Sequence, residues 1–309
     1  MPKFQVERSI NIDAPKEKIL KSLANYKEWK AWSPWLLMDE NVQVTYTGED
    51  GTVGSAYSWD GYYVGSGGME LRKIQENTLE MKLDFFKPFK SKADIFWELE
   101  NKGSSTKVTW KMHSSLPFFL FFMVKQMKVW IGMDYERGLR MLKEYMETES
   151  VSSQVTVDGI QKKDAIQYIG IKRESGFEEL GEIMKKDYES LFAFIREHNI
   201  EPKGVPFSIY NTFNMNKRTS EFVSCIPYEG NVTLPEGWVQ DILPSCEVFQ
   251  VTHEGAYAHV GNAWSTAITH TRTDKIKTKK KPMGYEFYLN DPHTTEKKDL
   301  LTEVCLALR

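Results

Sequence analysis

The sequence predicts an α+β protein of two bodies in tandem: an antiparallel sheet wrapped on a long helix, then a duplicated strand–helix–strand–strand body. Three observations carry this expectation. Alternating apolar segments at close intervals fill the first half, between a short helix and a long one. In the second half the order strand, helix, strand, strand occurs twice. Between them, polar ETESVSSQ (147–154) reads as a linker, giving domains 1–149 and 155–309.

Each element has its own signal. Phe4, Val6, Arg8, Ile10 and Ile12 alternate as one face of a first strand, with Arg8 the odd inward residue. Pro15 opens a short helix near 15–25, since proline is tolerated in a first turn. After YKEWKAWSPW (26–35), Leu79 to Phe85, Ala93 to Leu99 and Val108 to Met112 alternate as strands. A helix near 122–147 carries the stripe Val124, Met127, Ile131, Tyr135, Leu139, Leu142 and Met146, which the sheet must cover. In the second half, a strand at 164–172 precedes a helix at 176–198 with Ser175 and Glu178 spaced as a capping box. Strands near 206–211 and 220–227 follow. The order recurs with a strand at 246–252, a helix near 259–271, and the strands of GYEFYLNDP and LLTEVCLAL.

Totals exclude several function classes. The 309 residues are 41% apolar with a net charge of -3, and neither half holds a basic excess, so neither nucleic acid nor an anionic membrane is an expected partner. Three scattered cysteines form no disulfide framework. The start lacks the apolar core of a signal peptide, and the longest greasy run, LPFFLFFMV (116–124), is nine residues, far below the ~20 that span a bilayer. A cytoplasmic protein is expected.

The chemistry is sparse. GYYVGSGGMEL (61–71) lacks a phosphate-loop pattern and reads as a hairpin, while six histidines show no ligand spacing, so no metal and no cofactor is expected. The basic run DKIKTKKKP (274–282) reads as a solvated loop. Trp29, Trp32 and Trp35 are either rim packing or the mouth of an apolar cavity; Arg8, Trp32, Trp35, Trp97 and Trp110 mark a candidate N-terminal pocket. Arg8 either pairs a carboxylate or meets a ligand's acidic group. Glu286 and Glu303 stand out because carboxylates among buried neighbours need a partner and cluster at functional sites. Beside aromatic rings, such a group can hold a lipophilic cation or, with its pKa raised, act as a general acid or base. Glu286 alternatively faces water with Tyr288.

GVPFSIYN (204–211), SCIPY (224–228), HEGAYAHVGNAW (253–264), YEFYLNDP and LLTEVCLAL resemble the gyrase-inhibitor-like family, related to effector-binding domains of multidrug-sensing regulators. The resemblance implies a central cavity for hydrophobic, often cationic or aromatic compounds, with Glu286 in it and Tyr210 and Trp264 as aromatic partners; Tyr288, Glu303 and Tyr168 complete the expected lining. Some members of that family are implicated in hydrolysing cyclopropane-bearing genotoxins with this glutamate. INIDAPKEKIL (10–20), WKAWSPW (29–35) and YERGLRMLKEYME (135–147) resemble the polyketide-cyclase/START-like superfamily, which implies a helix-grip fold with an apolar pocket and transfers no catalytic residue. No DNA-binding helix-turn-helix precedes the second body. The first expectation is therefore a binder of hydrophobic or cationic small molecules. The alternatives are a ring-opening hydrolase using Glu286, and a protein-directed modulator such as a topoisomerase inhibitor, its protein partner unread.

Overall fold

A computed structural model of the chain describes residues 3–116 and 118–309, with the side chains of 118–120 outside the description. Pro117, in the greasy run 116–124, lies outside the described residues. The chain divides into two compact units, Met1–Ser152 and Ser153–Arg309.

In the first unit β1 (Lys3–Ile12) leads into α1 (Lys16–Ala24) and the short α2 (Trp29–Trp32). Then come β2 (Gln43–Thr47), β3 (Ala56–Gly61), β4 (Gly65–Ile74), β5 (Thr78–Lys87), β6 (Ser91–Lys102), β7 (Ser105–Ser115) and α3 (Val124–Thr148). These strands form one antiparallel sheet in the order β1-β7-β6-β5-β4-β3-β2. Pro15 sits just before α1, as its N-cap, where its missing N–H costs nothing. The glycine-rich stretch is the β3–β4 hairpin, with Gly65 at φ +68° in its turn. Tyr135, Leu139, Leu142 and Met146 of α3 are buried against the sheet, so the helical stripe finds its cover.

The aromatic residues fill this core. Trp97 and Trp110, opposite each other across β6 and β7, stack at 4.3 Å, and Trp110 stacks on Tyr135 of α3 at 4.0 Å. Trp32 meets Trp97 and Trp110 edge-on, near 6 Å, and all three indoles are fully buried. Of the two readings, packing accounts for Trp32, Trp97 and Trp110, which are buried against one another in place of the candidate pocket. Trp35 is half-buried, and its indole N–H donates to Asp134 at 3.2 Å. Arg8 does face inward, but its Nε donates to Glu136 Oε1 at 2.6 Å, a carboxylate of α3. The ion-pair reading of Arg8 accounts for it without a ligand.

The second unit runs β8 (Ser153–Lys163), β9 (Ile166–Gly176), α4 (Leu180–Glu197), β10 (Phe207–Asn214), β11 (Thr219–Pro227) and β12 (Trp238–Leu243). It continues with β13 (Cys246–Gly255), α5 (Gly261–Thr273), β14 (Gly284–Tyr288) and β15 (Leu301–Ala307). Among the described residues the sheet order is β12-β9-β11-β10-β14-β15-β13-β8. Two of these strands go beyond the sequence expectation: the start of β8 falls in the expected linker, and β12 lies in a stretch rich in Pro, Gly and Glu. Ser175 caps no helix. It lies within β9, and α4 starts later with no side-chain cap.

The sheet must curl. Six strand spacings separate β12 from β13 in the sheet order, which would be ~29 Å if flat. Leu243 ends β12 and Cys246 starts β13, a link that spans at most about 11 Å. Leu243, Val248, Tyr168, Phe207 and Tyr285 accordingly share one core on the inner face. The outer face carries α4 and α5, with Phe249, Val251, Val304 and Leu306 beneath α5. No helix among the described residues is long and apolar enough to cross a membrane.

Candidate functional site

Period-two geometry decides which carboxylate reaches the helices. Glu286 of β14 lies opposite Ser208 of β10 and Val304 of β15, so these three share the helix-facing side. Phe287 and Glu303 oppose each other on the reverse side. Glu286 is 4% exposed, beneath the helices at the seam between β10 and β14.

Three neutral donors converge on it. The Tyr210 hydroxyl donates to Oε2 at 2.8 Å, the Tyr288 hydroxyl donates to the same oxygen at 2.8 Å, and the Trp264 indole N–H donates to Oε1 at 2.5 Å. Tyr210 comes from β10, Trp264 from α5, and Tyr288 from the end of β14. Gly284 makes the indole's approach possible, because a Cβ there would lie 3.0 Å from the Trp264 ring and 2.2 Å from the Cys305 carbonyl oxygen. Tyr210 and Trp264 meet edge to face at 5.3 Å, and Phe213 backs Trp264 at 5.2 Å. Tyr188 of α4 packs edge-on to Tyr288 at 5.7 Å, and Tyr257 does the same at 5.6 Å. Tyr188 donates to the Phe207 carbonyl at 2.8 Å, and Ser208 Oγ lies 2.9 Å from its hydroxyl and 3.1 Å from that of Tyr288.

Electrostatics oppose one another at this carboxyl. Burial raises its pKa, while the bonds from Trp264, Tyr288 and Tyr210 lower it, and the balance is a rise above 4.5. Hydrogen bonds to a charged acceptor contribute roughly 1.5–3 kcal/mol each, against a desolvation cost of several kcal/mol for the ion. Among the described residues, no lysine, arginine or histidine pairs with Glu286. Burial and the neighbouring carboxylate push Tyr210 and Tyr288 well above 10 and Tyr257 up to about 12, so all three hydroxyls keep their protons at neutral pH. The result is a buried carboxyl walled by aromatic faces, its two oxygens held by three neutral donors.

Of the residues expected at the site, Glu286, Tyr288, Tyr210 and Trp264 come together. Glu303 and Tyr168 do not. Glu303 is on the reverse side of the sheet, ion-paired with Lys163 at 2.6 Å, and Tyr168 packs edge-on to Phe207 in the inner core. Both are one register step away from the helix-facing side, and a one-residue offset sends a side chain to the other face. Sequence reasoning missed Tyr188, Tyr257, Ser208 and Gly284 as site residues. Tyr188 had a signal: a hydroxyl within the apolar stripe of α4 needs a buried partner.

Residues 159–309 match the family model described as the GyrI-like small molecule binding domain. Residues 3–147 match the one described as polyketide cyclase / dehydrase and lipid transport. No curated protein matches the chain. Among solved structures, protein CV1439 from Chromobacterium violaceum is 11% identical, with 46% of this chain and 96% of that one covered at a TM-score of 0.36. The EcmrR C-terminal domain is 11% identical, with 51% and 98% covered at a TM-score of 0.40. A complex of EcmrR with DNA is 11% identical, with 61% and 69% covered at 0.44.

Proposed function

For a chain that joins a polyketide cyclase / dehydrase and lipid transport domain to a GyrI-like small molecule binding domain, we propose that the second domain captures lipophilic organic cations on Glu286. The observation that carries this reading is the buried carboxylate with three neutral donors and no cationic partner among the described residues. Such a group is stable as an anion only while its environment compensates it, and a guest cation completes that compensation. The surrounding tyrosine and tryptophan faces add cation–π attraction, about 0.5–2 kcal/mol per ring for a desolvated cation. The order strand–helix–strand–strand, twice over, supports a duplicated body whose seam is this site, with Tyr210 supplied by the first copy and Glu286 by the second.

A second reading has its own support. A carboxyl whose pKa is raised, 2.8 Å from two tyrosine hydroxyls, is equipped to pass a proton to and from a strained electrophilic ring while water adds. Mass spectrometry separates the two. Wild type and Glu286→Gln are incubated with tetraphenylphosphonium, a rhodamine and a cyclopropane-bearing alkylator. Compounds retained unaltered by wild type and released by the variant support capture. A product heavier by one water, formed over many turnovers by wild type alone, makes the site hydrolytic. Equal retention by both proteins, with no product from either, removes Glu286 from either role.

A further inference from the structure

The first unit exposes its large apolar side chains unevenly. Tyr62 is 70% exposed, Phe86 52%, Phe89 75%, Phe121 61% and Phe122 67%. The topology gathers all five at one end of the sheet. Tyr62 lies in the β3–β4 turn, Phe86 and Phe89 at the β5–β6 turn, and Phe121 and Phe122 between β7 and α3. The registers Gly61↔Gly65, Phe85↔Ser91 and Lys3↔Ser115 set these turns side by side. Scattered exposed apolar residues are ordinary; five aromatic rings on adjacent turns are a patch.

Charge is segregated to the same end. Lys3 opens β1, Lys87, Lys90 and Lys92 flank Phe89, and Lys125 and Lys128 occupy the first turns of α3; all six are exposed. Lys87 and Lys92 are partly neutralised, by Asp60 at 3.3 Å and Asp84 at 3.7 Å. Asp39 is buried and accepts from the Tyr63 amide, and Glu40 is exposed beside it. Lys3, Lys90, Lys125 and Lys128 make no ion pair among the described residues, although the chain as a whole carries -3. An anionic surface is therefore attracted at this end and repelled by the rest of the molecule.

We propose that this tip docks on an anionic lipid bilayer, its phenylalanines entering the headgroup–acyl boundary and its lysines resting on the phosphates. Aromatic rings prefer that boundary, and lysines let their stems follow the rings while the ammonium stays wet. Each contributes about tenfold or less in partitioning, so binding is peripheral and reversible. Phe121 and Phe122, the described phenylalanines of the greasy run, are among the exposed rings that would reach this depth. The expectation that an anionic membrane is no partner rests on net charge, whereas the proposal rests on the local charge at this end.

The test is co-sedimentation of the full chain with vesicles of phosphatidylcholine mixed with phosphatidylglycerol, and with phosphatidylcholine alone. The proposal expects sedimentation with the mixed vesicles at low salt, reduced at high salt. It expects a loss of about tenfold or more in Phe89→Ala/Phe121→Ala/Phe122→Ala, and loss of the salt dependence in Lys90→Gln/Lys125→Gln/Lys128→Gln. These side chains are exposed, so an unchanged melting temperature controls for folding. No sedimentation with mixed vesicles at low salt overturns the proposal, as does binding unaffected in both triple variants. A concentration-dependent dimer that only the phenylalanine triple abolishes, without vesicle binding, overturns it in favour of contact between copies.

Discussion

Glu286 and His253 are two buried titratable groups on the same side of one sheet, and acid acts on them in opposite senses. Glu286 has a folded pKa above its ordinary 4.5, so its ionised form costs stability at neutral pH. As pH falls through the folded value towards 4.5 the folded state takes up the proton first, and that cost is relieved. Cation affinity moves the other way, because the protonated acid no longer attracts the guest. Glu286→Gln should therefore bind a lipophilic cation tenfold to a hundredfold more weakly while melting no lower than wild type at neutral pH, which calorimetry reads directly. His253 is fully buried, with Ser153 Oγ 3.0 Å from its Nε2 and its Nδ1 without a hydrogen-bond partner among the described residues, and burial lowers its pKa from 6.5 to about 4. Above 6.5 it is neutral both folded and unfolded. Between 6.5 and about 4 only the unfolded chain takes the proton, so roughly 3 kcal/mol is lost across that window. Urea unfolding at pH 7 and pH 4.5 should show this loss in wild type and not in His253→Asn. At this scale the residue pattern alone does not favour Glu286, whose strand face also suits water, over Glu303; the resemblance to the gyrase-inhibitor-like family is what singles it out. The partners decide: three neutral donors for one, Lys163 for the other.

The elements explain why some aromatic residues are structure and others are site. Trp97 and Trp110 are a cross-strand pair capped by Tyr135 of α3, so they hold the sheet to its helix. Trp110→Ala should cost about 3–5 kcal/mol, seen as a lowered melting transition of the first unit. Gly138 of α3 faces that ring, and an added Cβ would come within 2.9 Å of it. Gly138→Ala should destabilise despite alanine's better helix propensity, reversing the ~1 kcal/mol gain expected on an open face. Gly284→Ala, by pressing on the Cys305 carbonyl and the Trp264 ring, should weaken cation binding along with stability. Periodicity made α3, α4 and most strands legible, since each carries a stripe or an alternation. It did not reveal β8, whose alternating burial is weak and whose start falls in the polar linker. Nor did it reveal β12, an edge strand held only by β9. Edge strands bury one side at most, so their sequences carry little of the pattern.

At the level of the whole chain, each unit has its own core and its own sheet. Residues 153–309 expressed alone should fold cooperatively and retain cation binding. A chain starting at 164 should be markedly less stable, because β8 pairs with β13 along its length and Ser153 satisfies His253. Circular dichroism melts of the two pieces check this. The two-body architecture was legible because polar residues separate two periodic patterns. The curl of the second sheet was not, because it follows from strand order, and strand order is set by pairings distant in sequence.

We propose that Glu286 holds a lipophilic guest cation. The most direct test is isothermal titration of wild type and Glu286→Gln with tetraphenylphosphonium from pH 8 down to pH 5. Saturable binding by wild type that weakens on acidification, and that the variant loses at every pH, is the predicted result. Equal affinity in both proteins, or an affinity indifferent to pH, would contradict it.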